Sequence, residues 1–146
     1  KVHHSVKEMG FAAHLRYHWM ENILYKPFKV IALMLLGGFE PEQAFIIHFI
    51  AISIGHLNHA NIKLDYGPLK YVFNNPVMHL YHHAKAIPKG FKTGVNFAIS
   101  LSLWDYIFKT NYVPTPDKNL VLGYSDDQQM PSGFFGQLFY GFKKGD

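Results

Sequence analysis

Cysteine is missing altogether: none of the 146 residues is one. Disulfides and thiolate metal sites are thereby excluded. Charge is scarce too, at 16% Asp, Glu, Lys and Arg together, and the longest stretch free of Lys and Arg runs from Val30 to Ile62. There is no repeat, no phosphate-cradling glycine loop, no nucleophile elbow and no mark of a second domain. The formal net charge of +4 is modest and the lysines are scattered among aromatics. That pattern argues against a nucleic-acid partner and for an anionic membrane surface. Neither an initiator methionine nor a signal-peptide pattern opens the chain, so it is expected to be cut from a longer protein. What is present in quantity is hydrophobic (49%) and aromatic (16%) side chain, enough to bury a core in one domain spanning residues 1–146.

Histidine is the compositional excess. Ten residues are histidine, and five of them fall in the 28 positions from His56 to His83. A helix turns by about 100° per residue, so positions i, i+3 and i+4 share a face. Asn75-Pro76 reads as an N-cap followed by proline at the first helical position, and the helix it starts projects His79, His82 and His83 from one side. A lone histidine on an apolar helix is usually a satisfied core residue. Three on one short face repel if charged and demand several acceptors if neutral, so a metal is the simplest tenant. His56-x-x-His59 offers a second facet, and His3-His4 a third.

Residues 6 to 26 read as an amphipathic interfacial helix rich in Trp and Tyr, on which His14 and His18 are i, i+4 neighbours; a solvated pair is the plain expectation for His14. Two apolar runs follow, Phe28 to Phe39 and Ala44 to Leu57, separated by Gly37-Gly38 as a helix stop and Pro41 as a helix start. They predict a helical hairpin; each arm is shorter than the ~20 residues of a simple membrane span, so a soluble helical core is the alternative. Lys26 and Lys29 precede the first arm and Lys63 and Lys70 follow the second, while Glu40 and Glu42 occupy the tip. The positive-inside rule then predicts a transmembrane hairpin with both open ends cytoplasmic. His48 lies inside the second arm, roughly 16 Å along the helix from His59 and too far to share a metal with it. A helix is expected at about 96 to 108, carrying Asp105, and residues 113–146 read as an irregular tail over the histidine-bearing face.

The order of these motifs resembles the fatty acid hydroxylase/sterol desaturase superfamily of integral-membrane di-iron oxygenases. The resemblance is carried by His59-Ala-Asn61-Ile-Lys-Leu, Gly67-Pro-Leu, Asn75-Pro76 and His79-x-x-His82-His83. Val2-His3-His4-Ser5 is similar to the end of an earlier His-x-x-His-His cluster, and Arg16-Tyr17-His18-x-x-Glu21 to an Arg-aromatic-His-x-x-Glu segment. Asn96-Phe97 and Trp104-Asp105-x-x-Phe108-Lys109-Thr110 resemble its Asn-Tyr-Gly and Trp-Asp-x-x-Phe-Gly-Thr elements. The chain departs from the family pattern in lacking the upstream half with its own histidine cluster. It also has Ala98 and Lys109 where glycines are usual, which puts the local turns in question.

The resemblance implies an all-α membrane protein with a histidine-rich helical cap on the cytoplasmic face, in a bacterial inner membrane or the endoplasmic reticulum. It implies two iron ions, with zinc as a substitute, molecular oxygen as co-substrate, a lipid substrate and an external electron donor. The ligands expected are His3, His4, His56, His59, His79, His82 and His83. His18, Asn61, Asn96 and Asp105 are expected around them, with Asp105 accepting a ligand imidazole's distal N–H. The reaction implied is hydroxylation, desaturation or ether cleavage of the lipid, by a chain incomplete without its upstream histidines. A membrane protein binding haem through two histidines, or holding a non-catalytic zinc, is the competing reading.

Overall fold

The computed structural model describes residues 1–115 and 120–142. Within them the chain is helical: α1 (Lys26–Gly37), α2 (Pro41–His59), α3 (Pro76–His82), α4 (Leu103–Ile107) and α5 (Phe134–Leu138), joined by short 3-10 turns. The only β pairing among the described residues is an isolated antiparallel bridge between Ala84 and Leu122. All-α is therefore the class.

The hairpin forms where the sequence punctuates it. Gly38, at φ 67°, ends α1 in the left-handed region that glycine tolerates, and Phe39 N–H returns to the Leu33 carbonyl at 3.3 Å. Glu40 and Gln43 then form a reciprocal capping box around Pro41, starting α2. The expected membrane crossing is not matched by these lengths: among the described residues no helix is long and apolar enough to cross a membrane. The 12 residues of α1 reach only ~18 Å, and α2 interrupts its apolar side chains with Gln43, His48, Ser53, His56 and Asn58. The hairpin is nonetheless bare. No residue of α1 is buried, and Leu35 and Leu36 are 78% and 88% exposed.

Two sequence expectations fail locally. The single helix over 6 to 26 is instead a 3-10 turn at Phe11–Leu15 and a π turn at Glu21–Tyr25 that leads into α1. Extended Gly10 opens the first turn, and Arg16 leaves helical geometry so that its guanidinium reaches Val2 O (3.1 Å) and Ser5 Oγ (2.8 Å). The helix expected over 96 to 108 is reduced to α4. Asn96, at φ 51°, takes the backbone out of helix, and its side chain bonds Met78 O (3.0 Å), Tyr112 O (2.8 Å) and Tyr112 N–H (2.8 Å).

A small apolar core, Val6, Met9, Ala13 and Leu122, joins the start of the chain to its tail. The tail runs beside the end of α3, with Lys85 N–H on Val121 O (2.8 Å) and Gly123 N–H on His83 O (3.0 Å). Residues 116–119 and 143–146 of the expected tail lie outside the described residues. The densest part of the interior is polar: Asn58, His59, Asn74, Asn75, His79, His83, Asn96, Ser102 and Asp105 are all essentially inaccessible.

Candidate metal centre

Asn75 caps α3 as its sequence demands, accepting Met78 N–H at 2.9 Å. The cap fixes the helix, which presents His79 from its body and His83 from its C-terminal cap. His59 closes α2, and His3 comes from the first turn of the chain. The four ligand nitrogens of His3, His59, His79 and His83 lie within 4.8 Å of one another. His59 Nε2 is 3.1 Å from both His3 Nε2 and His79 Nε2. Four nitrogens held ~2.0–2.1 Å from one tetrahedral cation would stand about 3.3 Å apart, close to that spacing.

The hydrogen bonds around the cluster leave lone pairs pointing inward. A carbonyl can only accept, so His59 Nδ1 donates to Gly55 O at 2.7 Å and its Nε2 is free to ligate. His82 Nδ1 likewise donates to Val95 O at 2.9 Å. His3 Nδ1, His79 Nδ1 and both nitrogens of His83 are buried with no protein partner. Such orphans are costly in a folded interior unless something absent from the polypeptide satisfies them. Burial, then neighbouring imidazoles, lower the pKa of His3 to about 3 and push His79 and His83 well below the ordinary histidine value. The imidazoles are therefore neutral at pH 7, the form that binds a metal. By spacing, by the unpartnered nitrogens of His83 and by protonation, the residues fit a cation.

The other expected residues fall in graded positions. His4 stacks on His83 with ring centroids 4.5 Å apart and meets His82 edge-on at 4.8 Å, so both adjoin the cluster. His56 does not converge on it: its ring stacks on Phe11 at 4.1 Å and its Nδ1 pairs with Phe11 O at 3.1 Å. Asp105 makes no direct bond to an imidazole. Its carboxylate accepts Phe97 N–H (2.8 Å), Ala98 N–H (3.0 Å) and Thr110 Oγ1–H (2.6 Å). It thus braces the loop whose Val95 carbonyl orients His82. Asn96 clasps the same loop. His18 accepts Met20 N–H through Nδ1 (3.3 Å) beside Trp19 and Phe142, and Asn61 is exposed and lines a separate cavity with Lys63 and Leu80.

His14 belongs here although the sequence reading left it in solvent. It is buried, 4.8 Å from His59 and 4.6 Å from His56 by ring centroid, and burial lowers its pKa to about 4. One signal could have found it. Gly55 stands inside an apolar helix, and a Cβ there would come within 2.3 Å of the His14 ring. Beside the cluster opens a cavity of about 260 Å³, bordered by His3, His14, His59, His79 and His82, by His48, Ile52, Phe97 and Ile99, and by Lys26 and Lys29.

A model of the fatty acid hydroxylase family matches residues 1–110, which hold every histidine of the chain. The chain belongs to that family. Across 144 residues it is 28% identical to the ornithine lipid hydroxylase of Rhizobium tropici, covering 98% of this chain and 41% of that protein. Alkylglycerol monooxygenases of Xenopus tropicalis and Danio rerio are 25% and 28% identical over 82% and 81% of this chain, each match spanning 25% of the relative. The chain thus spans less than half the length of these curated relatives. No solved structure matches it significantly.

Proposed function

We propose that this chain is the metal-binding part of an oxygen-dependent lipid hydroxylase with a di-iron centre. His3, His59, His79 and His83 would hold one cation, and His4 and His82 would contribute to a second beside it. Bound iron would supply activation of oxygen toward an unactivated C–H bond, with electrons from an external donor. The polypeptide's part is narrower. Neutral imidazoles leave each cation its full charge, Gly55 and Val95 carbonyls fix two rings, and Asp105 holds the loop behind one of them.

Substrate placement follows from the cavity. Ile52, Phe97 and Ile99 give it apolar wall against which an alkyl chain can lie with one C–H toward the imidazoles. The exposed hairpin supports membrane residence: its apolar surface would sit in the bilayer, with the histidine cap at the cytoplasmic face. The observation that carries the proposal is the convergence of four imidazoles, three of them buried, beside that cavity.

The test is oxidation by the full-length protein, iron-loaded in lipid vesicles with oxygen and a chemical reductant. Mass spectrometry of the extracted lipid should show gain of one oxygen atom, absent from the His83→Ala protein. An iron-loaded wild type that leaves every lipid class untouched would refute the proposal.

A further inference from the structure

The cavity beside the histidines has a charged rim that metal binding does not use. Its buried end is imidazole; its outer end carries Lys26, half-buried, and Lys29, exposed. No Asp or Glu lines it. Among the described residues no carboxylate is ion-paired with either lysine; each ammonium lies over an aromatic ring. Lys26 Nζ is 3.9 Å from the centroid of Tyr17, and Lys29 Nζ is 5.4 Å from that of Tyr25. Tyr17 in turn stacks parallel to His3 with centroids 5.3 Å apart, so one ring separates the Lys26 charge from the metal-facing cluster.

The two lysines stand at i and i+3 of α1, on neighbouring positions of one helix face. Glu21, five residues before Lys26, acts on it electrostatically but forms no ion pair with it. The two ammonium groups therefore outnumber the acidic charge at this rim, and an anion arriving from outside would be favoured there.

Resting on the lipid-hydroxylase reading, we propose that Lys26 and Lys29 bind the acidic group, phosphate or carboxylate, of a lipid whose chain enters the cavity. The pair then selects acidic lipids over neutral ones and fixes how far the chain reaches toward the imidazoles.

The experiment titrates the full-length protein in a neutral maltoside detergent by calorimetry with dihexanoyl phosphatidic acid, with dihexanoylglycerol and with inorganic phosphate. Wild type should bind the phosphatidic acid tighter than the neutral lipid by about tenfold or more. Lys26→Gln/Lys29→Gln should abolish that preference and leave dihexanoylglycerol affinity unchanged; Lys29→Gln alone, at an exposed position, should reduce it. Lys89→Gln/Lys92→Gln, with the same charge change at residues that do not line the cavity, should retain it. Equal wild-type affinities, a preference that survives the double change, or equal loss in the Lys89/Lys92 control would overturn the proposal. So would inorganic phosphate binding as tightly as the acidic lipid, which would mark a free-anion site. Turnover assayed in parallel keeps the two readings apart: oxidation without headgroup preference removes only the lysine proposal, and preference without oxidation removes the hydroxylase.

Discussion

The hairpin and the histidine cap are inversions of one another. In α1 and the first two-thirds of α2, Leu, Ile and Phe face outward and Ala44 is the single buried residue. In the cap, amides, imidazoles and a carboxylate are sealed alongside a few apolar residues such as Met78 and Val95. A soluble domain of this composition would do the reverse, because apolar burial drives folding and buried polar groups are costly. On the proposed function the two regions would meet different surroundings, an apolar medium around the hairpin and a cation among the imidazoles.

Charging the bare face of the hairpin should have the largest effect. Leu35→Lys/Leu36→Lys puts two cations where a bilayer would lie, at ~2.5–3.5 kcal/mol each if they reach its centre. Membrane sedimentation should fall while metal content is retained, since neither residue is buried in the cap. Next in size is Asp105→Ala, which strands Phe97 and Ala98 N–H groups and should cost about 3 kcal/mol in chemical denaturation. It should also weaken metal retention by loosening the Val95 loop, which Leu35→Lys/Leu36→Lys should not do.

The cap's protonation sharpens the contrast further. Burial lowers His3 to about 3 and His4 and His14 to about 4, against 6.5 when unfolded. As pH falls below 6.5 the unfolded chain takes up protons first, so the unfolded state is favoured. Stability of the metal-free fold should be full above about pH 7, decline from 6.5 and go on declining through about 3, because His79 and His83 are held lower still. After discounting for solvent screening, ~2 kcal/mol is a reasonable size, read from denaturation curves of chelated protein across that range. The smallest effect expected is a gain. Lys109 sits at φ 57°, and Lys109→Gly should stabilise by about 1 kcal/mol, visible as a raised melting temperature.

Much of this was legible in the residues because the deciding interactions are local. Asn75-Pro76 caps α3 and its period sets His79 and His83 on the cluster; Gly38 and Pro41 bound the hairpin. Lys109 is similar: where the family usually has glycine, the backbone is left-handed. What was not legible depends on distant partners. Arg16 turns toward Val2 and Ser5, which breaks the expected first helix and swings His14 to His59. Asn96 leaves helical geometry to bond Met78 and Tyr112, and Asp105 spends its oxygens on amides rather than on an imidazole. His56 shares a helix with His59 yet faces Phe11. Histidine spacing gives a face, and only the packed fold says what that face meets.

A non-haem metal in the imidazole cage, as proposed, is tested most directly by metal analysis of the intact protein together with its optical spectrum. Two iron ions per chain, or zinc in their place, with no intense haem band is the expected result. His79→Ala and His83→Ala should each lower metal affinity by at least about 100-fold, while His48→Ala keeps its metal. A strong haem absorption, or full metal occupancy in the His83→Ala protein, would contradict it.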